Sequence, residues 1–196
     1  VNPNDHVNCG QSTNDVIPTA GKMTSLRLLH RLKAELLRLH KALCGKAEEF
    51  DHVLKMGRTQ MQDAVPIRLG QEFKAYSVAV MRDIHRMDIA MDEMRKLNMG
   101  GTAVGTGINA DERYLRRIVP NLNEISDMDF VQAYDLIDAT QNLDPFVAVS
   151  GAIKACAVTL SKIANDLRLM SSGPRAGFGE INLPAKQNGS SIMPGK

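Results

Sequence analysis

Cysteine is scarce and unpatterned in this chain: Cys9, Cys44 and Cys156 are an odd number with no paired spacing. That excludes a disulfide framework, and with no signal-like apolar segment ahead of them a reducing cytoplasm is the expected location. No uncharged apolar run approaches the roughly 18 residues that span a bilayer, so no integral membrane segment is expected. Aromatic residues make up only 4% of the sequence, and Lys plus Arg nearly balance Asp plus Glu at 24 against 22. No basic stripe interleaved with aromatics results, and nucleic acid is not an expected partner. His6, His30, His40, His52 and His85 lack metal-ligand spacing, so surface or helix-packing roles are expected for them and no metal or other cofactor is called for.

What is present is a chain of 196 residues, 43% hydrophobic and 23% charged, the size and composition of one soluble globular domain. From Ile17 to about Phe50 apolar residues recur every three or four positions through Met23, Leu26, Leu29, Leu32, Leu36, Leu39, Leu43 and Ala47, which predicts one long helix. Leu28 and Leu37 fall off that stripe and suggest a second contact surface. Asn14 or Asp15 is expected to cap this helix, with Pro18 in its first turn. A second helix is predicted from near Pro66 to about Asn98, with Leu69, Phe73, Tyr76, Val80, Ile84, Met87, Met91 and Met94 on a nearly heptad face. The methionines, eleven in all, read as adaptable core filler more readily than as a cofactor or peptide groove. A third helix is predicted from about Ala139 to Met170 through Leu143, Phe146, Val149, Ile153, Cys156, Leu160, Ile163 and Leu167, with a kink or a later start at Pro145.

Polar segments separate these rods. Residues 1–18 read as an irregular entry, 57–66 as a polar break, 125–134 as a connector, and everything from Ser171 on as loop. Gly100 to Gly107 holds four glycines in eight residues. It lacks the Gly-Lys-Ser/Thr ending and the preceding strand of a phosphate cradle, so it reads as a plain loop. Asn109 with Glu112 resembles a capping box opening a short helix toward Glu124. The expected fold is therefore all-α: an antiparallel bundle of long helices in a single domain, residues 1–196, with apolar surface left for further copies of the chain to cover.

The breaks carry the chemistry-bearing residues. Gly189-Ser190-Ser191-Ile192-Met193-Pro194-Gly195-Lys196 reads as a mobile loop able to close over a substrate, with hydroxyls and a cation to offer. This stretch resembles the signature loop of the aspartase/fumarase superfamily. Three further stretches resemble that family in its order: Gly10 to Asp15, Gly57 to Asp63, and Gly100 to Gly107, with Ser171 to Gly177 alongside. The resemblance covers the whole chain, and it implies the central helical domain of a larger lyase that splits fumarate from its substrate without a cofactor.

Residue by residue, the resemblance makes Ser190 the catalytic base and Lys196 a ligand for the substrate α-carboxylate. Ser191 becomes a donor to the other carboxylate, Thr59 an α-carboxylate contact, Ser12 and Thr13 β-carboxylate contacts, and Asn14 the residue facing the leaving amino group. Serine is a weak base by itself and needs neighbouring donors or cations to favour its alkoxide. Gln60 stands where fumarases of the family usually carry histidine; it can hydrogen-bond a carboxylate or amine but exchanges no proton near neutral pH. With Ala176 and Ile181 to Pro184 it points to the aspartase branch, hence to ammonia elimination from L-aspartate through an enediolate. A class II fumarase, and more distantly a non-catalytic helical scaffold, are the alternatives. Asn2, where the family often has histidine, weakens any secondary anion site.

Consecutive breaks in a bundle of long antiparallel helices lie about 50 Å apart. A site using Ser12, Thr59 and Ser190 together must then be shared between chains. The resemblance implies the same: a homotetramer whose active sites each draw on three subunits. Each residue alone also has a structural reading: Ser12 to Asp15 as a helix cap, Thr59 as a turn hydroxyl, Lys196 as a solvated end. The chain reads as a piece of something larger, expected to fold but not to turn over substrate by itself.

Overall fold

In a computed structural model, which describes residues 1–193, the chain is dominated by helices: α1 (Thr13–Glu49), α2 (Leu69–Met94), α3 (Glu112–Ser126), α4 (Leu136–Gln141) and α5 (Asp144–Met170). Two small sheets accompany them. β1 (Leu54–Thr59) and β2 (Gln62–Arg68) form an antiparallel hairpin, and β3 (Lys96–Leu97) pairs in parallel with β4 (Val131–Gln132). One turn of π-helix, Pro3–Val7, stands in the entry segment. The chain divides into two compact units, one of residues 1–39 and 81–155, the other of residues 40–80 and 156–193 among those described.

The predicted stripe of α2 is realised in full, since all eight of its apolar positions from Leu69 to Met94 are buried. Leu26, Leu29, Leu36, Leu43 and Ala47 of the α1 stripe are also buried, whereas Leu28 and Leu37 are exposed. Methionine fills the core at Met87, Met91, Met94 and Met99. In the first unit, Lys33 of α1 pairs with Asp88 of α2 at 2.5 Å and Lys22 donates to the Lys96 carbonyl at 2.5 Å, so the two helices run antiparallel there. In the second, Phe50, Phe73 and Tyr76 stack edge to face at 5.4 and 5.8 Å, and Tyr76 donates to Asp166 of α5 at 2.9 Å.

Four boundaries differ from expectation. Residues 57–66 are not an irregular break. They belong to a hairpin whose tip residues Gln60 and Met61 both have positive φ, 49° and 63°, as a tight two-residue turn requires. Pro66 consequently lies in β2 and α2 starts at Leu69. Pro18 is the sixth residue of α1, not a first-turn residue, because the helix begins at Thr13. A proline there leaves the carbonyl four residues earlier without its helical donor. That carbonyl belongs to Asn14, and Asn98 Nδ2 donates to it at 2.9 Å. Asp111, not Asn109, caps α3, its side chain accepting from the Arg113 amide at 2.7 Å. The third rod is divided at Asn142 into α4 and α5, with Pro145 accommodated as the second residue of α5.

In α5 the buried residues Val149, Cys156, Ile163 and Met170 follow each other at seven-residue steps. Val147, Ile153 and Val158 are exposed, as is Leu143 just ahead of the helix, so Leu143 and Ile153 of the predicted stripe do not belong to the buried face. By length and composition alone this helix is apolar enough to cross a membrane. Lys154 and Lys162 interrupt it, so it contains no uncharged run of that length.

Close approach of backbones sets one glycine requirement in the second unit. A Cβ on Gly70 of α2 would lie 2.3 Å from the Ala47 carbonyl oxygen and 2.7 Å from Asp51 Cα. Alanine favours a helix over glycine by about 1 kcal/mol, but backbone atoms cannot swing aside, and overpacking costs about 1–3 kcal/mol or more. We expect Gly70→Ala to lower stability by about 1–2 kcal/mol net, read as a lower urea midpoint. An unchanged or higher midpoint would show that α1 and α2 do not meet at this distance.

Candidate functional site

The site residues expected from the sequence fall into two groups. In the first unit, Ser12, Thr13 and Asn14 form the beginning of α1. Ser12 Oγ accepts from the Asn14 amide at 3.1 Å, and Asp15 Oδ1 accepts from the Ser12 amide at 3.0 Å. This reciprocal pair is a capping box: Ser12 is the cap, not Asn14 or Asp15 as expected, because the helix already begins at Thr13, and the reading of Ser12 to Asp15 as a helix cap is realised in that form. Asp15 does more than cap. It is fully buried, and its other oxygen accepts from the Thr102 amide at 3.0 Å.

The glycine-rich loop is thereby drawn onto the start of α1. Asn14 Nδ2 donates to the Ala103 carbonyl at 2.6 Å, and Asn98 binds both the Asn14 carbonyl and Thr140 Oγ1, the latter at 3.1 Å. Gly105 permits this fold at φ 93°, where a Cβ would meet the Ile137 backbone at 2.4 Å. Thr19 Oγ1, Asn98 Oδ1 and Thr102 Oγ1 are buried without a hydrogen-bond partner among the described residues. The positive end of the α1 dipole stands at Ser12 and Thr13, favouring negative charge there. Burial pushes the Lys22 ammonium below its ordinary value, against the opposing pull of Asp144 and Glu93.

In the second unit, Thr59 closes β1 and Gln60 begins the hairpin tip, both exposed. Two residues before Gln60, Arg58 turns back into the unit. It holds Glu180 through two parallel hydrogen bonds of 3.2 and 2.6 Å, and its guanidinium lies 3.9 Å from the centre of the Phe178 ring. Lys55 bridges Glu180 and Glu72, at 3.0 Å to each. Glu180 is in turn fixed by its backbone, its amide donating to the Met170 carbonyl at the end of α5 at 2.8 Å. Arg58, Lys55, Glu72 and Glu180 thus fasten the hairpin that bears Thr59 and Gln60 to the segment following α5.

That segment continues to Ser190 and Ser191, both exposed. Ser190 and Met193 bond to each other twice, the Ser190 amide to the Met193 carbonyl at 2.5 Å and the Met193 amide to Ser190 Oγ at 3.0 Å. Lys196 lies outside the described residues. The sequence reading missed Lys55, Glu72 and Glu180. Arg58 was visible in its motif, but its partner is 122 residues away along the chain and no local signal connects them.

The family described as Lyase matches residues 1–196. The protein named aspartate ammonia-lyase from Bacillus subtilis is 56% identical over 196 residues, spanning 100% of this chain and 41% of its own length. Among solved structures, the "fumarate lyase:delta crystallin" of Brucella melitensis superposes with TM-score 0.95 at 49% identity, covering 100% of this chain and 43% of that one. The class II fumarase of Schistosoma mansoni does so with TM-score 0.92 at 36% identity, covering 100% and 44%. The chain thus spans about two-fifths of the length of the relatives it matches.

Glu180 makes the attachment of the hairpin pH-dependent. Burial by itself would raise its carboxyl, but the hydrogen bonds from Arg58 and Lys55 and their charges outweigh burial and hold it below the ordinary carboxylate value. A depressed value means the folded state prefers the charged form, so the contribution is complete above the ordinary carboxylate range and is lost as pH falls through and below it. Denaturant midpoints should therefore fall with acidification more steeply in the parent sequence than in Glu180→Gln. Parallel pH profiles for the two proteins would show that the Glu180 contacts contribute nothing to stability.

Proposed function

Since this chain belongs to the lyase family over all of residues 1–196, we propose that the protein containing it is an ammonia-lyase that eliminates ammonia from L-aspartate to give fumarate. The observation that carries this reading is the unbroken similarity, over the full chain, to a protein named for that activity. Gln60 supports it, because at the hairpin tip it offers hydrogen bonds and no titratable group.

In this reading Ser190 removes a proton from the carbon next to the β-carboxylate, and the electron pair passes into that carboxylate as an enediolate. Ser12, Thr13 and Ser191 donate to the developing oxyanions, whose charge the positive end of α1 also favours. Thr59 and Lys196 hold the α-carboxylate, with Gln60 beside them, and Asn14 meets the amino group as it departs. Fixed donors aimed at the enediolate provide most of the stabilisation, so these residues need no metal for the chemistry described.

The assembly belongs to the same proposal. A homotetramer would cover the apolar positions Val147, Ile153 and Val158 that α5 leaves exposed, and would bring residues of the two groups together from different subunits. Cys9, Cys44 and Cys156 form no disulfide with one another, which suits a cytoplasmic location. A malate hydro-lyase is the second reading, motivated by the fold shared with a class II fumarase, but the lower identity to that enzyme counts against it.

Two experiments test the proposal. The full-length protein should form fumarate, followed by its ultraviolet absorbance, from L-aspartate and not from malate; malate turnover without aspartate turnover would reverse the assignment. Ser190→Ala should lower kcat by at least about a hundredfold with little change in substrate binding, because the lost proton transfer belongs to the transition state. A mutant of near-normal rate would remove Ser190 from the role of base.

A further inference from the structure

Cys44 has a companion. Its Sγ lies 3.7 Å from Nε2 of His40, one turn earlier on α1, and both side chains are partly buried within the second unit. The other ring nitrogen, Nδ1, lies 2.9 Å from the carbonyl oxygen of Ser77 on α2. A carbonyl oxygen can only accept, so Nδ1 carries a hydrogen, and in the neutral ring Nε2 presents its lone pair. That lone pair faces the thiol. Ser77 gives the arrangement a fixed base, being fully buried with its hydroxyl donating to the Lys74 carbonyl at 2.7 Å. Nucleophile, base and a group that orients the base stand in sequence, the order by which proteins activate thiols.

We propose that Cys44 is a modification site: a thiol activated by His40 that exchanges with small soluble disulfides. In the exchange, Cys44 Sγ attacks one sulfur of the disulfide RS–SR as the thiol proton passes to His40 Nε2. The S–S bond breaks, Cys44 is oxidised into a mixed disulfide Cys44–S–SR, and the other half leaves reduced as the thiolate RS⁻. His40 returns the proton to that thiolate as RSH. None of these residues belongs to the lyase chemistry, so the proposal stands apart from the proposed function.

The three cysteines provide an internal control. Cys9 is exposed, Cys44 partly buried and Cys156 buried. Exposure alone therefore ranks Cys9 first, whereas activation by His40 ranks Cys44 first.

The test is to incubate the reduced full-length protein with glutathione disulfide at neutral pH and follow each cysteine peptide by mass spectrometry. Cys44 should form the mixed disulfide ahead of Cys9, and faster in the folded protein than in the same protein unfolded in urea. His40→Gln, which can still donate to the Ser77 carbonyl but accepts no proton, should slow Cys44 on the order of tenfold and leave Cys9 unchanged. A folded-state rate at Cys44 below that of Cys9, below its own rate in urea, or indifferent to His40→Gln would overturn the proposal. The comparison with urea needs no variant, so it decides the question even if His40→Gln does not fold.

Discussion

A carboxylate taken out of water must be given donors enough to replace its hydration, and the polar breaks of this chain are organised by that requirement. Asp15, with no exposed surface, satisfies it by accepting from the start of its own helix and from the Thr102 amide, 87 residues further on. Glu180 satisfies it with the guanidinium of Arg58 and the ammonium of Lys55. In each unit one partly or wholly buried acid thereby ties a loop segment to a defined position within that unit. The helical stripes supply the apolar driving force, and the contacts of these two acids hold segments between the helices in place.

The consequence for chemistry is a scaffold in which the candidate groups are held from behind. Neither Thr59 nor Gln60 is buried, yet the hairpin carrying them is anchored two residues earlier by Arg58 and its bidentate hold on Glu180. Asn14 is likewise exposed but tied at its side chain to Ala103 and at its carbonyl to Asn98. Such support costs these candidate side chains no accessibility. It also accounts for Pro18, whose missing amide leaves the Asn14 carbonyl open to the Asn98 side chain and so helps to bring the glycine-rich loop to the helix start.

The rods, and the face that α2 buries, were legible from the sequence by itself, whereas Leu143 and Ile153 of the third predicted stripe are exposed. The spacing of Leu69 through Met94 marked each buried position of α2, because a period near 3.6 is imposed by the backbone and needs no partner to be read. The family was legible too, since the motifs that resemble it are contiguous runs of residues. Only the tertiary structure decided the rest. The hairpin at residues 54–68 was hidden because its turn uses Gln60 and Met61 at positive φ in place of the usual glycine or asparagine. The burial of Asp15 under the Thr102 amide was likewise out of sight, as was the anchoring of Arg58 on Glu180 across 122 residues. Contacts of this kind arise when distant segments meet around a charge that cannot be left unpaired, and periodicity, a local property, carries no record of them.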